Sequence, residues 1–334
     1  MGLGNSLQTA QASGGGAAVG GWVELARTTL GSAGDSISTT SLPDKRYYMV
    51  ISDKIASGSM QGSLNFNNDT GSNYSYRRSN DQTDHNTGTS QTLLADYVGW
   101  NTSEFNVTYI SNLAAKEKLV VGWTSADRGA GAGTAHSRNE FSGKWANTSD
   151  AINRIDWSNT GGGDFDTNSE SVVLGWDPAD THTTNFWEEL ASVELGSAGD
   201  TLDSGTFTAK KYLWVQTMLL DSSTIRPTIQ VNSDTGSTYA MRYSDDGGAD
   251  AEAGSQGRYY PFQDTGAYPF FLNTFIINNA SNEKLFISHG ISQNTAGAGT
   301  APKRSETVAK WANTSNQITQ IELLNDQAGS FNTG

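Results

Sequence analysis

The chain has 334 residues, 35% hydrophobic and 10% aromatic, enough for two ordinary domains with packed cores rather than a disordered chain. A formal net charge of −14 repels phosphate backbones and anionic lipid heads, so nucleic acid and membrane surfaces are not expected partners. There is no cysteine, which removes disulfides and thiolate metal sites and leaves packing, or assembly with other chains, as the source of stability.

Residues 1–21 read as a Gly-rich N-terminal arm without the basic and apolar regions of a secretion signal. Gly2 and Ser6 match the short Met-Gly-x-x-x-Ser acylation pattern, which arises often by chance. No stretch is apolar for long enough to span a bilayer as a helix. Seven Asn-x-Ser/Thr sequons follow from a composition rich in these residues.

From Trp22 the chain states one unit twice. "WVELARTTLGSAGDS" returns as "WEELASVELGSAGDT" from Trp187, 165 positions on. "KRYYMVI" from Lys45 meets "KKYLWVQ" from Lys210, and "LNFNNDTGSNYSYRRS" from Leu64 meets "IQVNSDTGSTYAMRYS" from Ile229. After one inserted residue near 80–104 the offset is 166, and "EKLVVGW" from Glu117 meets "EKLFISH" from Glu283. The periodicity within each unit is two: Leu64 and Phe66, or Leu119, Val121 and Trp123, alternate with their neighbours. "KRYYMVI" is apolar on both faces, as for a strand covered on both sides. Turn signals such as "GSAGD", "NDTGSN" and "GAGAGT" separate the runs. The expectation is all-β, two tandem antiparallel β-sandwich or jelly-roll domains with eight or nine strands each. Repeat one covers residues 22–177, a linker 178–186, and repeat two 187–334.

"KWANTS" stands at residues 144–149 and again at 310–315. Its Trp145 and Trp311 suit either core packing, the favoured reading, or a platform for the apolar face of a sugar. The following "ANTSDAINRIDW" reads as a turn leading into a strand, with a short capped helical turn as the alternative. Repeat one then closes with a strand over residues 171–176, "SVVLGW", which repeat two lacks. A sandwich short of its last strand has an unpaired edge, so either the natural chain continues, the arm folds back, or a neighbour donates a strand. The arm is too Gly-rich to be a good donor.

Catalytic patterns are not found. His85, His136, His182 and His289 share no ligand spacing, and no Ser/His/Asp order or G-x-S-x-G elbow stands out. "GAGAGTA" lacks the GK[ST] ending of a phosphate loop. Asp69 and Asp234 open "DTGS" turns; with Asn67 and turn carbonyls they are the candidate ligands of calcium, the one cofactor considered, although Asx-turns account for the same residues. Arg138 and Glu140, repeated as Arg304 and Glu306, read as cross-strand ion pairs. Tyr74, Tyr97, Trp100, Tyr239, Tyr259 and Tyr260 are the candidate ligand-binding aromatics.

The run "KWANTSDAINRIDWSNTGGGDFDTNSESVVLGW", through Trp145, Ile152, Ile155, Gly163, Phe165, Ser169 and residues 172–175, resembles virion proteins of tailed viruses. With "FNNDTGSNY" the chain is similar to repeat proteins encoded by marine viruses. Repeat two carries Trp311, Ile318, Ile321, Gly329 and Phe331 but departs at the closing strand. The resemblance implies a capsid decoration, fibre or tail component located in the virion. It implies a homo-oligomer, a trimer among the options, that contacts other virion proteins and has no active site. A carbohydrate-binding module is the second expectation, compatible with an adhesive fibre. A polysaccharide-cleaving enzyme is the third, and needs two carboxylates in one cleft.

Overall fold

The computed structural model describes residues 21–95, 103–178, 180, 184–221, 223–294 and 296–333. The first repeat supplies β1 (Val23–Thr29), β2 (Ser36–Thr40), β3 (Tyr47–Lys54), β4 (Gly62–Phe66), β5 (Tyr74–Asn80) and β6 (Asp84–Gln91). It continues with β7 (Leu94–Ala95), β8 (Glu104–Ser111), β9 (Lys118–Ala126), β10 (Ser137–Trp145), β11 (Arg154–Asn159) and β12 (Glu170–Trp176). The second supplies β13 (Thr201–Asp203), β14 (Tyr212–Leu219), β15 (Pro227–Val231), β16 (Tyr239–Asp245) and β17 (Ala251–Gln256). Its remaining strands are β18 (Phe270–Ile277), β19 (Lys284–Ser292), β20 (Lys303–Trp311) and β21 (Ile321–Asn325). The described residues contain no helix.

Each repeat is a large sheet packed on a small one. In the first, the eight-stranded order β1-β12-β3-β8-β9-β10-β5-β6 faces β2-β11-β4-β7; in the second, β14-β18-β19-β20-β16-β17 faces β13-β21-β15. The first core gathers Ile37, Leu64, Phe66, Ile155 and Trp157 from the small sheet against Tyr48, Val50, Val120, Phe141 and Val173 from the large one. The second repeats this with Ile229, Val231, Ile321 and Leu323 against Leu213, Ile276, Phe286 and Ala309.

The period of two has a second consequence. Met49 and Ile51, on the opposite face of β3 from Tyr48 and Val50, join Phe105, Val107, Val172 and Leu174 in a third buried cluster. Facing them are Tyr212, Phe275, Ile277, Leu285, Ile287 and Val308 of the second repeat. The two large sheets therefore pack on each other, giving four layers in the order small, large, large, small. This is why "KRYYMVI" is apolar on both faces. Fully burying one aliphatic or aromatic side chain contributes about 1.5–3 kcal/mol, so this middle layer binds the repeats firmly.

The first repeat has more strands than the hydrophobic pattern indicates, because β5 and β6 carry few apolar residues to mark them. On β9 it is Val120 that enters the core, while Leu119 and Val121 point outward and are exposed. Gly122 lies between Thr108 and Phe141, and a Cβ there would penetrate the Phe141 ring. The "ANTSDAINRIDW" segment is a turn followed by β11, with Asn147 Oδ1 accepting from the backbone N–H groups of Ser149 and Asp150.

Among the described residues the second sandwich has no counterpart of β12. Its β14, equivalent to the central strand β3, pairs with β18 on one side and stands at the edge on the other. Residues 188–194, equivalent to β1, form no strand.

Candidate functional site

The repeated motifs meet inside each sandwich. Trp145 Nε1 donates to Asp69 Oδ2 at 2.6 Å, and Trp311 Nε1 donates to Asp234 Oδ2 at 2.6 Å. The other carboxylate oxygen of each Asp accepts the backbone N–H of Gly71 or Gly236 at 2.8 Å. Burial raises the Asp69 and Asp234 carboxyls, but the indole and turn donors outweigh it and hold both below the ordinary range. Lys118 and Lys284, fully buried beneath these Trp rings, donate to the Asn147 and Asn313 carbonyls at 2.8 and 2.7 Å. "KWANTS" and "DTGS" are thus two halves of one internal clasp. Trp145→Phe is expected to cost about 1–3 kcal/mol, the range for a hydrogen bond lost from a charged group. Urea unfolding checks this, and an unchanged midpoint would count against the clasp.

The calcium candidates Asn67, Asp69 and Asp234 are engaged by the same kind of contact. Asn67 has its oxygen on the Asn153 and Arg154 amides and its nitrogen on the Ala151 carbonyl. Together with Asp69 and Asp234, it is held by hydrogen bonds of the fold. Three of the aromatic candidates are corrected by their burial. Tyr74, Tyr239 and Tyr259 are fully buried, and the Tyr74 and Tyr239 hydroxyls each accept a backbone N–H, from Phe66 and Val231. None of the three presents a ring face to a ligand. Tyr260 is half-buried, with the Arg226 guanidinium 4.7 Å from its ring centroid. Tyr97 and Trp100 lie outside the described residues.

Polar chemistry that the sequence pattern did not reveal gathers between the large sheets. Trp123 and its own counterpart His289 touch, ring centroids 4.6 Å apart. Arg138 pairs with Glu140 along β10 and reaches Glu306 of the other repeat at 3.5 Å; Arg304 pairs with Glu306 at 3.2 Å. The pairing foreseen across strands therefore runs along each strand and between repeats. Equivalent residues meeting in this way is the mark of an approximate two-fold relation, as in an isologous dimer fused into one chain.

The symmetry breaks at the ends. At one, Lys310 is fully buried, with Nζ 2.9 Å from Asp127 Oδ1 and 3.0 Å from Glu283 Oε2, and it also donates to the Gly129 carbonyl. Its counterpart Lys144 pairs with Glu117 in the open. Asp127, His136 and Glu283 have the spacing of a metal-ligand set, the one such group among the described residues. The Lys310 ammonium already supplies the positive charge there. At the other end of the layer, Glu170 accepts the Tyr212 hydroxyl at 2.5 Å and the Lys211 ammonium lies 3.2 Å away. Burial raises Glu170, but Tyr212, Thr29, Lys211 and Arg27 together bring it down to about 2.

His289 has a stability consequence. Burial, then the charges of Arg138 and Arg304, lower it from 6.5 to about 4. Its folded form is held neutral, so its contribution is fully present above pH 6.5 and is lost as pH falls towards 4, because the unfolded chain takes up the proton first. Stability is expected to drop by about 2 kcal/mol between pH 6.5 and 5, with a shallower slope in His289→Gln. A flat profile in urea unfolding over that range would contradict this.

A groove of about 260 Å³ in the second repeat is lined by Asp245, Asp246, Gln263, Asp264, Lys303 and Arg304. Asp264 pairs with Lys303 and accepts the Tyr268 hydroxyl at 2.6 Å. Burial raises the Asp245 carboxyl, whereas Asp264 is lowered because Lys303 and Tyr268 outweigh its burial.

No family model matches the chain, and no curated protein matches it.

Proposed function

We propose that the protein is a non-enzymatic structural component of a virus particle, a decoration, fibre or tail protein that associates with itself and with other particle proteins. One observation carries the architectural part of this reading. The motifs that recur in both repeats, "DTGS" with "KWANTS", are occupied by contacts within the fold, whereas the second large sheet ends on an apolar strand, β14, whose outer edge is unpaired among the described residues. Recurrent chemistry that serves folding, beside a surface that invites pairing, suits a building unit better than a catalyst. The resemblance noted in the sequence supports a viral setting. Purified particles are expected to contain the chain in many copies by quantitative mass spectrometry. Its absence from intact particles would overturn the reading.

A second reading, carbohydrate binding in an adhesive particle protein, is favoured by the polar groove of Asp245, Gln263, Asp264 and Lys303, whose donors and acceptors suit sugar hydroxyls. A glycan array run with and without millimolar calcium tests it. Retention of no sugar would leave the structural role alone.

A further inference from the structure

The open edge of β14 has a template inside the same molecule. In the first repeat β12 lies between β1 and β3, antiparallel to both, with Val172 opposite Ile51 and Arg27, and Val173 opposite Val50 and Ala26. In the second repeat no described strand lies beside β14 on that edge, and the segment equivalent to β1 touches β14 at one end, where the Trp187 and Trp214 ring centroids are 5.3 Å apart. Residues 193–195 and β14 border one groove, lined by Val193, Leu195, Met218, Leu220 and Phe331. Val193 is 43% and Met218 54% exposed, high values for apolar side chains at a sheet edge. Among the described residues no backbone hydrogen bond reaches the free side of β14.

The composition of this edge sets it apart. The other terminal strands of the large sheets are guarded: β1 carries Glu24 and Arg27, β6 reads "DHNTGTSQ", and β17 carries Glu252. Charges and polar runs of that kind discourage unwanted pairing. β14 reads "YLWVQTML", the apolar pattern of a strand paired on both sides, like β3.

We propose that the free edge of β14, with residues 193–195 across the groove at one end, forms a strand-accepting slot, filled by an extended segment of another polypeptide that runs antiparallel to β14 with the chemistry of β12. That chemistry is a Ser-Val-Val-Leu-Gly succession: aliphatic in the middle, and glycine at the position opposite Leu213. The glycine follows from the template. A Cβ on Gly175 would overlap Leu25 and come 2.9 Å from Lys45 Cγ, and Leu190 and Lys210 are the counterparts of these two residues. Backbone bonds along β14 supply the affinity, and the alternating side chains supply the selection. The proposal rests on reading the protein as an assembly component and names the surface through which it assembles.

The test uses the whole chain and a synthetic peptide with the β12 sequence, Ser-Glu-Ser-Val-Val-Leu-Gly-Trp-Asp. Saturable binding by fluorescence polarisation is expected, with slowed amide exchange within Tyr212–Leu219. A peptide carrying Val173→Pro should fail to bind. A protein with Gln216→Lys and Met218→Lys, both exposed positions that leave the core intact, should bind about tenfold more weakly. Several results overturn the proposal: no binding, protection that falls on β3 instead of β14, or binding only after removal of residues 1–20. A concentration-dependent dimer that protects β14 without peptide would assign the slot to a second copy and overturn it too. None of these bears on whether the chain is found in particles, so the two readings fail separately.

Discussion

Replacing Lys54 by Met is expected to destabilise the protein by about 3–5 kcal/mol, because it strands a buried carboxylate. Lys54 and Glu104 are 0% and 1% exposed and paired at 2.8 Å, and the ammonium lies 3.9 Å from the centre of the Trp157 ring. Gly62 makes room for it: a Cβ there would come within 2.6 Å of Lys54 Nζ. The second repeat shows the alternative solution. Leu219 and Phe270 pair at the positions of Lys54 and Glu104, and Leu323 stands where Trp157 does. An ion pair in one copy is matched by an apolar pair in the other, so the fold accepts either but not half of one. The double variant Lys54→Leu with Glu104→Phe is therefore expected to recover most of the loss, since well-packed apolar groups replace buried ion pairs at little cost. A double-mutant cycle in guanidinium measures this, and additive losses would show that the pair is not the unit.

Lys310→Met is the second large effect, again about 3–5 kcal/mol, since the Asp127 and Glu283 side chains would lose the buried ammonium that they share. The control is internal. Lys144→Met, at the equivalent but exposed position, should change stability by no more than about 0.5 kcal/mol. Calorimetry of the two variants should separate them clearly. Equal effects would mean that the layer does not bury Lys310.

The contrast between these lysines marks where sequence reading stops. The duplication, the all-β class, the sandwich layers and the missing closing strand were all visible, because side-chain alternation and turn residues are local properties. "KRYYMVI" even showed that one sheet is covered twice. What covers it was not visible, since Trp123 meets His289 and Arg138 meets Glu306 only after two large sheets are laid face to face. The same limit explains the tyrosines. Tyr74 and Tyr239 sit beside polar turns and read as candidate ligand-binding aromatics, yet each folds its ring inward to bond the preceding strand. Asn67 and Asp69 carry the composition of an ion site, and only the geometry shows their oxygens engaged by backbone amides and an indole. The polar groove was equally hidden, because Asp245, Asp264 and Lys303 come from separate segments brought together by the second sandwich.

Native-state hydrogen exchange on the free protein tests the account most directly, by comparing β3 with its counterpart β14. β3 is bonded on both sides, so its amides should all exchange slowly. In β14 only the amides that point towards β18 should be slow, and the alternate ones should exchange orders of magnitude faster. Uniform protection along β14 in the isolated chain would contradict the open edge.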